Sequence, residues 1–256
     1  MLNNVLIIGL GMMGGSLCKA IKNNKISKKI SALDKNKLSI KYALKNNLID
    51  CEVTDFSMMQ HPDLIVLCTP LSSYSTVINK LVKTVNKKTL LTDIGSSKGV
   101  IHKNIVKMTK NTNLSFISSH PMAGSEKSGA QHHRVKMFNN KVVFIIDRDS
   151  STKASYLKLK KFWKLMGSTT YDIDSKTHDI LMSQTSHIAH LMSYVFIESL
   201  PQSIIRKNLQ LLLGGGIKEH VRLSKSDPEM WTDIFINNKK NILNSLSRIQ
   251  KSTINM

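Results

Sequence analysis

The sequence predicts an α/β protein, with a doubly wound, largely parallel sheet over residues 1–173 followed by an all-helical domain over 174–256. Three observations carry that prediction. Short runs of Val, Ile and Leu alternate with amphipathic stretches through the first part, the pattern of strand-helix-strand units. The segment Gly9-Leu10-Gly11-Met12-Met13-Gly14 follows the first of those runs without a gap. After Asp174 the strand-like runs stop and long helical patterns take over.

Taken in order, residues 5–8, 30–33, 64–68, 90–92, 115–117, 142–146 and 169–173 are the strand candidates. They are short runs rich in Val, Ile and Leu and bounded by Gly, Pro, Asp or Asn, as strands buried on both faces are. Helical spacing appears between them. Residues 74–85 place Val77, Ile78, Leu81, Val82 and Val85 on one stripe, and residues 156–166 do the same with Leu159, Phe162 and Trp163. In the second part, residues 178–200, 204–213, 230–236 and 241–249 read as helices. Asp227 before Pro228 is a helix start, with a side-chain cap and a proline at the first helical position.

A chain of 256 residues with 41% hydrophobic content can bury a full core, so disorder is excluded as the main state. The net charge of +20 raises the question of nucleic acid. Only five of the 37 cations are arginine, and the lysines fall in scattered pairs with no long run. Base reading relies on arginine's planar fork, which lysine lacks. No nucleic-acid partner is expected, and the charge is read as a lysine-biased surface that attracts small anions. Cys18, Cys51 and Cys68 are far apart and odd in number, which fits reduced thiols. The apolar stretch after Val5 is broken by glycines, Ser16 and Lys19, so neither a leader nor a membrane span is expected. A cytoplasmic location follows as the expectation.

The chemistry begins at the glycine segment. Gly9 permits a tight turn, Gly11 lets the backbone approach a pyrophosphate, and Gly14 lets helix and strand pack closely. Asp34 stands twenty residues beyond Gly14, at the end of the second strand candidate, where a carboxylate receives ribose hydroxyls. This is a Rossmann-type dinucleotide fingerprint. Asp34 favours NAD; Lys35 and Lys37 beside it keep NADP as the alternative. Ser96 and His120 follow strand candidates 90–92 and 115–117, where open α/β sheets bind ligands, and can share a substrate hydroxyl. His187 and His190 lie three apart on a helical stretch, a weak metal spacing without a third ligand, so no metal is expected. Arg222, a rare arginine after Gly214-Gly215-Gly216, suits bidentate carboxylate binding.

Three longer segments are more specific than the fingerprint. They are Thr92-Asp93-Ile94-Gly95-Ser96-Ser97-Lys98-Gly99, His120-Pro121-Met122-Ala123-Gly124-Ser125-Glu126-Lys127-Ser128-Gly129, and Ser224-Lys225-Ser226-Asp227-Pro228-Glu229-Met230-Trp231-Thr232-Asp233-Ile234-Phe235. In these the chain resembles the prephenate, arogenate and cyclohexadienyl dehydrogenases over most of its length. The resemblance implies NAD-dependent oxidative decarboxylation of prephenate to 4-hydroxyphenylpyruvate in tyrosine synthesis, with an arogenate or dual-specificity enzyme as the alternative. A catalytically silent nucleotide-binding relative is the more distant alternative. It also implies a homodimer built on a helical domain of the 6-phosphogluconate-dehydrogenase C-terminal kind.

By the same resemblance His120 is the base and Ser96 orients the hydroxyl. Arg222 holds a carboxylate, His190 and His187 line the pocket, and Glu126 and Lys218 form a polar gate. Gly9, Gly11, Met12, Met13, Gly14, Asp34, Thr69 and Ser96 face the cofactor. Two departures stand out: Ala189 replaces a common proline, and Glu219-His220-Val221 replaces an Asp-x-Thr pattern. The helical domain is expected to be shortened at its C-terminal end.

Overall fold

Side chains of the first strand alternate between two faces, and both faces are buried. In β1 (Leu2–Ile8), Val5 and Ile7 join one apolar cluster while Leu6 and Ile8 join another on the opposite side. A period of two with apolar residues at every position from Val5 to Ile8 leaves such a strand only one place, the middle of a sheet covered on both sides. The computed structural model, which describes residues 1–125, 127–147, 152–201 and 214–255, puts it there. β1 lies between β2 (Ser27–Leu33) and β4 (Leu64–Leu67) in a parallel sheet of order β3-β2-β1-β4-β5-β6. The remaining strands are β3 (Cys51–Glu52), β5 (Thr89–Asp93) and β6 (Leu114–Phe116).

Helices cover both faces. α1 (Met12–Asn23) and α5 (Lys153–Leu165) pack one cluster, with Leu17, Ile21, Leu159 and Trp163 fully buried. α3 (Tyr74–Thr84) and α4 (Gly99–Thr109) supply Ile78, Leu81 and Ile105 to the other. α2 (Lys37–Lys45) follows β2. The strand order reverses at β1, with β2 and β3 on one side and β4, β5 and β6 on the other, which opens a crevice at the strand ends where such sheets take ligands.

Two features differ from the expectation. The strand at residues 115–117 and its following histidine do not continue one sheet. Ile117 still bonds the Leu91 carbonyl, and then the chain turns into β7 (Ser118–Pro121) of a second sheet, β7-β8-β9. β7 runs antiparallel to β8 (Val142–Ile146), which pairs in parallel with β9 (Thr169–Ile173). The switch is fixed by side chains: the Ser118 hydroxyl donates to the Asp93 carboxylate and the Ser119 hydroxyl to the Asp93 carbonyl, 2.8 Å. His120 therefore sits inside a strand and not past the end of one. β3 is only two residues long and carries no run to read.

The second difference lies in the helical half. The stretch read as one helix is α6 (Ser175–Met182), a π-helical turn (Ser183–His187) and α7 (Ile188–Ser199). Asp174 caps its start through Thr177 N–H. Then come α8 (Gly215–Ser224), α9 (Pro228–Asn237) and α10 (Lys239–Ile254). Asp227 caps α9 with Pro228 at its first position, as expected. The helix expected at 204–213 lies outside the described residues. α9 ties the halves together: Trp231 and Ile234 are buried in the cluster formed by α3 and α4, and the Ser72 N–H and hydroxyl donate to Asp233.

Candidate active site

The glycine loop is built as its spacing requires. Gly9 has φ +99°, and a Cβ there would come within 2.7 Å of the Cys68 backbone. A Cβ on Gly14 would lie 2.0 Å from the Gly9 carbonyl. Gly11, at the N-cap of α1, has nothing within 4 Å, so the space above the first helical N–H groups is open to a phosphate. Asp34 is held by the N–H groups of Leu10 and Asn36, which places its carboxylate beside the loop. Lys37 is turned away from it into an ion pair with Glu52. A dinucleotide fits this cradle.

A cavity of about 480 Å³ runs from that loop to the helical half. Gly11, Met12 and Met13 line one end, and Thr69 and Ser96 line the strand ends of β4 and β5. His120, His187, His190 and Arg222 form the rest of the polar wall, so both halves of the chain contribute.

His120 is the centre of a hydrogen-bonded chain. Its Nδ1 lies 2.9 Å from His178 Nε2, and His178 Nδ1 lies 2.8 Å from Asp179 Oδ1. A carboxylate only accepts, so His178 carries its proton on Nδ1 and its Nε2 is an acceptor. His120 then donates from Nδ1, and its Nε2 lone pair is left for a ligand in the cavity. Burial, His178, Lys98 and His187 hold the His120 imidazolium well below its ordinary range, so the ring is neutral and basic at Nε2. Asp179 is itself fixed, accepting from Lys98 N–H at 2.9 Å and Gly99 N–H at 2.7 Å at the start of α4. The anion there caps the helix from another element.

His187 is buried and accepts from the Asn238 amide at 3.0 Å, leaving its proton on Nε2. Burial pushes its pKa down to about 4, so it is a neutral donor. His190 donates from Nδ1 to the Ser186 carbonyl and stacks on Trp231, ring centroids 3.6 Å apart. The π turn matters here: one extra residue in the turn sets the phase that brings both rings to the same wall.

Arg222 lines the cavity while its guanidinium makes a bidentate pair with Glu219 on the same helix, 2.9 and 2.6 Å. Lys218 is exposed on α8 and is not part of the cavity wall, so the structure does not bring it to the site as a gate. Glu126, its expected partner, lies outside the described residues. Among the described residues no three His, Cys, Asp or Glu side chains are grouped as metal ligands, and no helix is long and apolar enough to cross a membrane.

Sequence reasoning missed His178, Asp179 and the burial of Lys98. The only local signal was a His-Asp pair inside the first turns of a helix. Its meaning depends on His120, which is 58 residues away.

The two family models that match this chain belong to one family. Residues 17–172 match the family model described as prephenate dehydrogenase, nucleotide-binding domain, and residues 174–256 match prephenate dehydrogenase, dimerization domain. A prephenate dehydrogenase of Bacillus subtilis is 28% identical over 95% of this chain and 66% of its own length. One from Lactococcus lactis is 28% identical over 98% of this chain and 69% of its own. The chain thus spans about two thirds of the length of these relatives. The crystal structure of A. aeolicus prephenate dehydrogenase with hydroxyphenyl propionate and NAD+ superposes with a TM-score of 0.89 at 28% identity, over 100% of this chain and 89% of that one.

Proposed function

The chain belongs to the prephenate dehydrogenase family, and from that membership we propose that it oxidises and decarboxylates prephenate to 4-hydroxyphenylpyruvate with NAD. One observation carries the residue assignment. His120 presents a neutral, unprotonated Nε2 to a cavity shared by the dinucleotide loop and Arg222, with its tautomer set by His178 and Asp179.

Prephenate bears a ring hydroxyl, a ring carboxylate and a side-chain carboxylate. His120 Nε2 accepts the hydroxyl proton, with Ser96 on the same wall to orient that oxygen. Gly9–Gly14, Asp34 and Thr69 would hold NAD, which when bound would supply the hydride acceptor for the ring carbon. The ring carboxylate leaves as CO2 and its electron pair completes the aromatic ring. Prephenate dianion and NAD+ give a monoanionic product, CO2 and NADH, so no net proton is released and His120 can return its proton to the phenol oxygen. Arg222 exchanges its Glu219 partner for a substrate carboxylate, and His187 and His190 line the opposite wall. The neutral state of His120 is what lets it act as base at physiological pH.

The protein is proposed to work in the cytoplasm as a homodimer joined through its helical half. α7 exposes Met192, Val195 and Phe196, an apolar face suited to a second copy.

Following NADH absorbance with prephenate, then arogenate, tests the reading. Reduction of NAD with prephenate is expected; if neither substrate reduces NAD or NADP, the enzyme reading fails.

A further inference from the structure

Lys98 is the only buried lysine among the described residues, with 1% of its side chain exposed where the other described lysines reach solvent. Its contacts reach three parts of the site. Its Nζ donates to Asp93 Oδ2 at 2.7 Å, at the end of β5 just before Ser96. The same nitrogen donates to the Ser119 carbonyl at 2.8 Å, the residue before His120 in β7. Its own backbone N–H donates to Asp179, which orients His178. At the neighbouring position a Cβ on Gly99 would lie 2.9 Å from Asp179 Oδ2, so that close approach needs the glycine.

We infer that Lys98 is a positioning residue for the dehydrogenase reaction, pinning the His120 strand and the His178–Asp179 pair to the Ser96 loop. β7 belongs to a different sheet from β5, so no ladder of backbone bonds sets the distance between Ser96 and His120. The Lys98–Asp93 pair, together with Ser118 and Ser119, makes that connection. A buried pair costs desolvation that its mutual attraction offsets only with good geometry, so this pair contributes more to placement than to stability.

Its charge acts as well. The groups facing His120 are His178 with Asp179 behind it from α6, His187 from the π turn, Lys98 with Asp93 from the β5 end, and the Phe144 ring from β8. Of these, Lys98 is the one fixed cation.

This inference rests on His120 being the base, and the test separates the two. Lys98→Met alone strands a buried Asp93 and is expected to unfold readily. The double variant Asp93→Asn/Lys98→Met leaves no unpaired charge and is expected to fold and, with the glycine loop untouched, to bind NAD with Kd changed less than threefold. Its kcat should fall about 100-fold with KM for prephenate changed less than threefold, and the acidic limb of the kcat profile should move to higher pH. Lys98→Arg keeps the cation, so its acidic limb should stay at the wild-type pH although the larger head lowers kcat.

An NMR titration of the His120 ring reads the same effect without turnover: its pKa should rise in the double variant and stay put in Lys98→Arg. A folded double variant with kcat, pH profile and His120 pKa all at wild-type values overturns the inference. Failure of the wild-type protein to oxidise prephenate would instead sink the assignment of His120 and leave the NMR result to judge the role of Lys98.

Discussion

The His178 ring decides which nitrogen of His120 is basic, because Asp179 can only accept and the proton order propagates along the chain. Replacing it with a side chain that cannot both accept from His120 and donate to Asp179 should cost catalysis and not binding. For His178→Leu, kcat is expected to fall about 100- to 1,000-fold, with the dissociation constant for NAD unchanged; steady-state kinetics and a fluorescence titration check it. An unchanged kcat would remove His178 from the mechanism. At the other wall, Arg222→Gln should raise KM for prephenate at least tenfold with a smaller effect on kcat. Glu219→Gln, which removes the competing carboxylate from the guanidinium, should lower KM. Residues of local meaning were legible in the sequence: Gly9, Gly11, Gly14 and Asp34 form one turn and its neighbour, and Asp227 caps its own helix. His178 and Lys98 were not, since their roles are set by partners in other elements. A lysine in a lysine-rich chain looks like surface until its burial is known.

Two elements place those residues, and neither is written in composition. β7 has the same look as the end of a parallel strand. It enters the second sheet because Ser118 and Ser119 bond Asp93 through their side chains. The π turn is hidden for a similar reason: residues 178–200 keep helical spacing throughout, and a single extra residue leaves little trace in an apolar pattern. Its effect is geometric. An inserted residue rotates everything after it by about 100° relative to an uninterrupted α-helix. Deleting the exposed Gln184 should restore α-helical phase and turn His190 away from Trp231. The deletion variant is expected to keep its far-UV circular dichroism. It should also show altered fluorescence from Trp231, with KM for prephenate raised more than KM for NAD. Wild-type kinetics in that variant would show that the turn has no part in the site.

At the scale of the whole molecule, the site makes the protein acid-sensitive. His120, His178 and His187 are buried and neutral, with burial as the largest cause in each case, whereas in the unfolded chain each titrates near 6.5. Below that pH the unfolded state binds protons that the folded state refuses, so stability is full above 6.5 and is lost as pH falls toward the depressed folded values. For His187, whose folded pKa is about 4, the loss is about 2 kcal/mol at pH 5 and about 3 kcal/mol once pH passes below 4. The net charge of +20 adds self-repulsion in the same direction as carboxylates protonate. Tm measured by differential scanning calorimetry should therefore fall by several degrees between pH 7 and pH 5, at constant ionic strength. Raising salt screens surface repulsion but not burial. Salt should thus recover only part of the drop, and His187→Asn, which has nothing to titrate, should show a shallower slope than wild type. A Tm that is flat from pH 7 to pH 5, or a drop fully abolished by salt, would mean that the three rings are not held neutral by burial. The basis for treating His120 as a free base at neutral pH would then go with it.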